Sequence, residues 1–130
     1  MSGFLPAGQQ VGVELSLNGA PVRLTASPRT TLADAVRAHG LTGTHLGCEH
    51  GVCGACTVLL DGEPVRSCLV LAIQASGRSV ETIEGLAPPG EPGEVVEAFL
   101  AAQALQCGFC TPGLVVTATW LLRAEPDPEP

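Results

Sequence analysis

The stretch Cys48-Glu-His-Gly-Val-Cys53-Gly-Ala-Cys56, followed after eleven intervening residues by Cys68, decides the reading of this chain. Gly47, Gly51 and Gly54 punctuate it. Glycine lets a backbone wrap tightly, so that its N–H groups point at sulfur with no Cβ in the way. Four thiolates are the full ligand set of a 2Fe–2S cluster, two per iron, and an x4–x2 opening is a spacing such clusters use. Structural zinc on the same four thiols is the competing reading, although zinc ribbons commonly use two C-x2-C pairs. A Rieske centre needs two His ligands; Cys48-x-His50 supplies half of that pattern, and no His follows position 50. His45 and His50 read as loop residues with the option of tuning the site by hydrogen bonding. His39 reads as a helix-end residue favoured by the dipole.

Outward from this loop the periodicities are plain. Val11, Val13, Leu15 and Leu17 alternate with polar or small residues, the period of a half-buried strand. Asn18-Gly19 is a two-residue hairpin signal, and Val22 to Ala26 reads as the returning strand. Thr31 is the expected N-cap of a helix with Asp34 in its first turn. Leu32, Ala35, Val36 and His39 form its expected apolar stripe, and Gly40 its stop. Ala55 to Leu60 is a third strand turned by Asp61-Gly62. A short strand follows near Val65-Arg66, and Ser79 to Ile83 gives another. A hairpin, a helix and further strands suit a small α+β domain over residues 11–83.

Composition then shifts. Residues 84–93 are rich in Pro and Gly and read as a linker. Glu94 to Leu105 is helical by pattern. Thr111-Pro112 opens another helix, with Thr111 as N-cap and Pro112 at the first helical position, running to about Arg123. Residues 94–123 make a helical segment with Trp120 as a core anchor, and 124–130 an acidic, Pro-punctuated tail. Between the helices lies Gln106-Cys107-Gly-Phe-Cys110. A C-x2-C at a helix N-terminus serves as a redox dithiol, as half of a metal site, or as two ordinary thiols, and spacing leaves these open.

The chain has 130 residues, 45% hydrophobic, enough for a packed core without disulfides. A formal charge of −7 and 3% aromatics oppose a nucleic-acid role, which needs basic surface and stacking rings. Met1 opens no signal-like segment, and no apolar run approaches the roughly 20 residues of a membrane span. A cytoplasmic protein is expected, in which six Cys point to metal or redox chemistry rather than disulfides.

Two long motifs carry a resemblance. Leu41-Thr-Gly-Thr-His-Leu-Gly-Cys48 through Asp61-Gly62, and Ala104-Leu-Gln-Cys-Gly-Phe-Cys-Thr-Pro-Gly113, closely resemble the small iron–sulfur subunit of the molybdenum hydroxylases, the family of xanthine dehydrogenase, aldehyde oxidase and aerobic carbon monoxide dehydrogenase. The resemblance implies an N-terminal β-grasp, ferredoxin-like domain with one 2Fe–2S cluster on Cys48, Cys53, Cys56 and Cys68. It further implies part of a four-helix domain in which Cys107 and Cys110 ligate a second cluster. Gln106 then lies near the molybdopterin of a large partner subunit, and electrons pass on to FAD on a medium subunit. The family's second cluster draws two more ligands from a later C-x-C. Only 20 residues follow Cys110 here, none of them Cys. The expectation is therefore a shortened helical domain and one cluster in this form. Leu114, Val115, Ala118, Leu121 and Leu122 would then form an uncovered stripe. A stand-alone carrier using the first cluster, or a fragment binding zinc or nothing, are the alternatives.

Overall fold

A computed structural model describes residues 3–129; Met1, Ser2 and the terminal Pro130 of the expected tail lie outside the described residues. The alternating apolar positions of β1 (Val11–Leu17) bury Val13, Leu15 and Leu17, and β2 (Ala20–Ala26) returns antiparallel beside it. Asn18 and Gly19 both take positive φ, 52° and 83°, as a tight two-residue turn requires. Thr31 caps α1 (Leu32–Ala38) by accepting the N–H of Asp34 at 3.1 Å. His39 is exposed, not part of the apolar stripe, because it falls on the C-cap after the last buried turn.

β3 (Thr57–Leu60) and β4 (Glu63–Arg66) form a second hairpin around Asp61-Gly62. β5 (Ser79–Glu81) then runs between the two hairpins, parallel to β1 and antiparallel to β3. The sheet order is β2-β1-β5-β3-β4. The core lies between one sheet face and α1, with Leu32, Val36, Val58, Leu60 and Val80 nearly or wholly buried. These elements give the α+β architecture read from the sequence.

The segment boundaries shift for identifiable reasons. β5 ends at Glu81 rather than Ile83, because the Thr82 N–H is taken by the Asn18 side chain at 2.8 Å instead of a ladder partner. The expected linker begins with a short helix, α2 (Ile83–Leu86). α3 (Gly93–Ala101) stops four residues before Leu105. There Gln103 takes φ 52°, and the N–H groups of Gln103 and Ala104 close onto Leu100 and Phe99. A glutamine in that left-handed position carries no sequence signal.

α4 (Thr111–Ala124) overturns one expectation. Every residue of β3 is buried, so the strand has two covered faces. One face puts Val58 and Leu60 into the core that also holds Leu32 and Val36, and α4 packs on the other with Val115 2% and Val116 0% exposed. Only part of the expected stripe stays open: Leu114, Leu121 and Leu122 are exposed, whereas Ala118 and Trp120 are half-buried. The helix found a sheet face to cover, which the stripe alone could not reveal. Gly113 makes this docking possible, since a Cβ there would collide with the Gly54 carbonyl and lie 3.1 Å from Ala55 Cα.

Candidate metal centre

The segment from 41 to 56 is irregular but anchored at several points. Arg37, on the last turn of α1, donates to the carbonyls of Thr42 and Thr44, each at 2.9 Å. Glu84 of α2 accepts the Gly43 N–H at 2.7 Å and the Thr82 hydroxyl at 2.9 Å. Sequence reasoning missed both anchors. Glu84 falls in the segment read as a linker, and Arg37 carries no motif.

Within this frame Cys48 sits in a cradle of main-chain donors. Its sulfur accepts N–H groups from His50 at 3.5 Å, Val52 at 3.3 Å and Cys53 at 3.3 Å. These donors, Cys53 foremost, lower the thiol's pKa from 9.0 to about 6. Gly54 has φ +74° and keeps its α-carbon open to Arg66. Gly47 serves by absence of bulk, because a Cβ there would lie 3.0 Å from Cys53 Sγ. His50 contributes its N–H as well as a ring contact to the Cys48 carbonyl at 2.7 Å.

Cys56 and Cys68 approach from the sheet. Cys56 ends the loop just before β3, and Cys68 lies in the helical turn Ser67–Leu69 that follows β4. The buried Ser67 hydroxyl donates to the Cys56 carbonyl at 2.6 Å and holds the two segments together. Burial pushes the Cys68 thiol up, and the neighbouring Cys56 adds to this while the Gly51 N–H opposes it. The Cys53 thiol bears on Cys48, and the Cys56 and Cys48 thiols both bear on Cys68, so the four lie together. All are free cysteines. Crowded thiolates repel one another, so holding all four deprotonated requires cationic charge among them. Among the described residues no three His, Cys, Asp or Glu side chains converge to hold a single ion. A binuclear cluster takes two thiolates on each iron. The donor set and the N–H cradle suit a 2Fe–2S unit.

Cys107 and Cys110 are exposed and flank a turn in which Gly108 takes φ +81°. Together with the exposed Gln106 they line a cleft of about 400 Å3. Cys110, not Thr111, occupies the N-cap position of α4, without a side-chain cap bond. Thr111 lies inside the first turn, where its hydroxyl cannot cap. The structure also joins the two thiol loops. The His45 and Phe109 rings stack with centroids 4.8 Å apart and planes at 23°. The His45 Nδ1–H donates to the Phe109 carbonyl at 2.7 Å, which fixes the tautomer because a carbonyl only accepts. His45 therefore grips the second thiol loop rather than tuning the first through a sulfur contact. Phe109 was legible only as a spacer between two Cys.

A mixed five-stranded sheet with one crossing helix and a glycine-lined thiol loop at its end is the architecture of a 2Fe–2S ferredoxin-like domain. Residues 15–82 match the 2Fe-2S iron-sulfur cluster binding domain family, and residues 82–130 the 2Fe-2S binding domain family. The chain is 53% identical over 114 residues to the caffeine dehydrogenase subunit gamma of Pseudomonas sp. strain CBB1, covering 87% of this chain and 68% of that protein. It is 43% identical over 122 residues to the xanthine dehydrogenase iron-sulfur-binding subunit of Escherichia coli O157:H7, covering 94% and 76%. Among solved structures, quinoline 2-oxidoreductase from Pseudomonas putida 86 superposes with a TM-score of 0.90 at 48% identity, over 94% of this chain and 76% of that one. The chain belongs to the iron–sulfur subunits of the xanthine dehydrogenase and aldehyde oxidoreductase family, the molybdenum hydroxylases, and is an oxidoreductase subunit. Among the described residues no helix is long and apolar enough to cross a membrane.

Proposed function

We propose that this chain relays single electrons from a molybdopterin-containing catalytic subunit toward a FAD-containing subunit. Cys48 and Cys53 hold one iron of the first cluster, and Cys56 and Cys68 the other. The observation that carries this reading is the N–H cradle of Cys48 in a loop that Ser67 ties, through the Cys56 carbonyl, to the turn holding Cys68. A bound 2Fe–2S unit would supply one-electron reduction and reoxidation. The protein's part is to place that site and set its potential. The main-chain N–H groups of residues 50–53 offset negative charge on sulfur. Cys107 and Cys110 supply one edge of a second site, with Gln106 on the side of the molybdopterin subunit. The His45–Phe109 stack fixes the spacing between the two thiol loops. Residues 11–83 serve as the cluster-bearing unit, joined by 84–93 to residues 94–123, which carry the partial second site. A cytoplasmic setting accords with six thiols free of disulfides, which a reducing compartment preserves.

Anaerobic purification followed by iron, sulfide and zinc analysis tests the first site. The expected result is a reddish-brown protein with about two irons and two sulfides on that site, and loss of both in Cys53→Ala. Colourless protein with stoichiometric zinc would refute the cluster. Paramagnetic resonance of the reduced 130-residue chain is expected to show one 2Fe–2S signal, because Cys107 and Cys110 are two thiolates of the four such a unit needs. Recovery of a flavoprotein and a molybdopterin-binding subunit with the chain from its host tests the relay; recovery of neither would favour the stand-alone carrier.

A further inference from the structure

Arg66 stands on β4, opposite Thr57 in the β3–β4 register and two positions before Cys68. Its guanidinium is half-buried. Nη1 donates to Thr57 Oγ1 at 2.9 Å, and that hydroxyl in turn donates to the Gly54 carbonyl at 2.7 Å. The guanidinium carbon lies 3.3 Å from the point where a Gly54 Cβ would sit. Since Gly54 directly follows Cys53, the cation rests against the thiol loop itself. Two features are unexplained by packing. The buried Nε of Arg66 has no hydrogen-bond partner. The ion pairs among the described residues are Arg23–Glu14, Arg78–Asp61 and Arg123–Glu81, so no carboxylate answers Arg66. A half-buried cation with an orphaned donor is costly unless negative charge faces it. The loop that the guanidinium rests against, through Gly54, is the one that carries Cys48, Cys53 and Cys56.

We propose that Arg66 is a fixed cation that raises the reduction potential of the site formed by Cys48, Cys53, Cys56 and Cys68. This rests on the proposed 2Fe–2S occupancy of those thiols. Uptake of one electron, delivered by a redox partner or by dithionite in the assay, makes the site more negative by one unit, and no proton is taken up with it. A guanidinium held in place by Thr57 stabilises that added charge more than it stabilises the oxidised site, because a partly buried location screens the field weakly. Raising the potential makes the site a better acceptor for electrons arriving from the catalytic subunit. The strut through Thr57 to the Gly54 carbonyl keeps the charge at constant distance from the loop, which a free surface arginine would not do.

The test is a redox titration of the full 130-residue chain, loaded with iron and sulfide and followed by paramagnetic resonance, for the parent, Arg66→Gln and Arg66→Lys. Iron content and the absorption spectrum are measured alongside. Arg66→Gln is expected to shift the midpoint to more negative potential with the cluster retained, and Arg66→Lys to recover most of that shift. A midpoint unmoved in Arg66→Gln overturns the inference, as does a shift in Arg66→Lys as large as that in Arg66→Gln, which would mark a strut rather than a charge. If Arg66→Gln holds no cluster, Arg66→Lys decides: a cluster near the parent potential supports the charge role, and its loss or a full shift overturns it. A parent chain that takes up no iron and sulfide overturns the cluster reading and this inference together.

Discussion

Replacing Gly113 by Ala tests the docking on which both thiol loops depend. Gly113 is buried in the first turn of α4, and an added methyl would overlap the Gly54 carbonyl and sit 3.1 Å from both Gly54 C and Ala55 Cα. These neighbours are backbone, so no rotamer change relieves the contact. The helix must withdraw by about an ångström to restore ordinary contact distances. Overpacking of this kind costs about 1–3 kcal/mol. Withdrawal also loosens Val115 and Val116, whose full burial on β3 is worth roughly 1.5–3 kcal/mol each; losing a third of it adds about 1–2 kcal/mol. Alanine returns at most about 1 kcal/mol through helix propensity. The net loss is about 1–4 kcal/mol, which for a domain of this size lowers Tm by roughly 3–15 °C. Thermal denaturation followed by far-ultraviolet circular dichroism, on parent and variant loaded alike, reads this directly. A variant that melts at or above the parent temperature would show that α4 does not sit against the Gly54–Ala55 backbone.

Other outcomes follow from the same geometry. With its pKa at about 6, Cys48 in the metal-free chain is roughly half thiolate at pH 6, against about a thousandth for an ordinary thiol at 9.0. Lower basicity reduces intrinsic nucleophilicity, leaving roughly a tenfold advantage. Iodoacetamide labelling of Cys48 should therefore already proceed at pH 6 and level off by about pH 8; a rate still climbing steeply above pH 8 would contradict the N–H cradle. The Ser79 N–H and then the Arg78 guanidinium hold the Asp61 carboxyl below its ordinary 3.8. Its contribution to stability is therefore present above that value and lost as pH falls through the lowered one. Asp61→Asn, which tolerates the same positive φ, should melt below the parent at pH 7, with the gap narrowing as pH falls below 3.8 and through the lowered value; a gap that does not narrow with acidification would rule out the ionised carboxylate as its cause. Phe109→Ala removes the ring that stacks on His45, and hydrogen exchange over residues 106–114 should accelerate, by about fivefold for a contact worth roughly 1 kcal/mol. Unchanged protection would mean the two thiol loops are held by something else. α3, which buries no residue, should exchange faster than the Val115–Val116 turn of α4.

The sequence by itself determined the local grammar and the chemistry of the first site. Alternation in β1, the Asn18-Gly19 and Asp61-Gly62 turns and the Thr31 cap each follow from the φ, ψ and hydrogen-bonding preferences of a few adjacent residues. The spacing of Cys48, Cys53, Cys56 and Cys68 is equally local in its logic, since tight glycine-lined turns bring neighbouring thiols together. What the chain could not disclose were relations across long separations. Glu84 grips Gly43 from 41 positions away, and His45 reaches Phe109 across 64. The stripe on α4 signalled only that some apolar surface would cover it. The sheet topology chose that surface by leaving the second face of β3 open and placing two glycine-adjacent backbones where Gly113 could approach. Periodicity reports that a face will be buried, whereas the partner is set by where distant strands pair. The charge on Arg66 carried no meaning in the sequence; only its placement beside Gly54, without a carboxylate partner, gave it one.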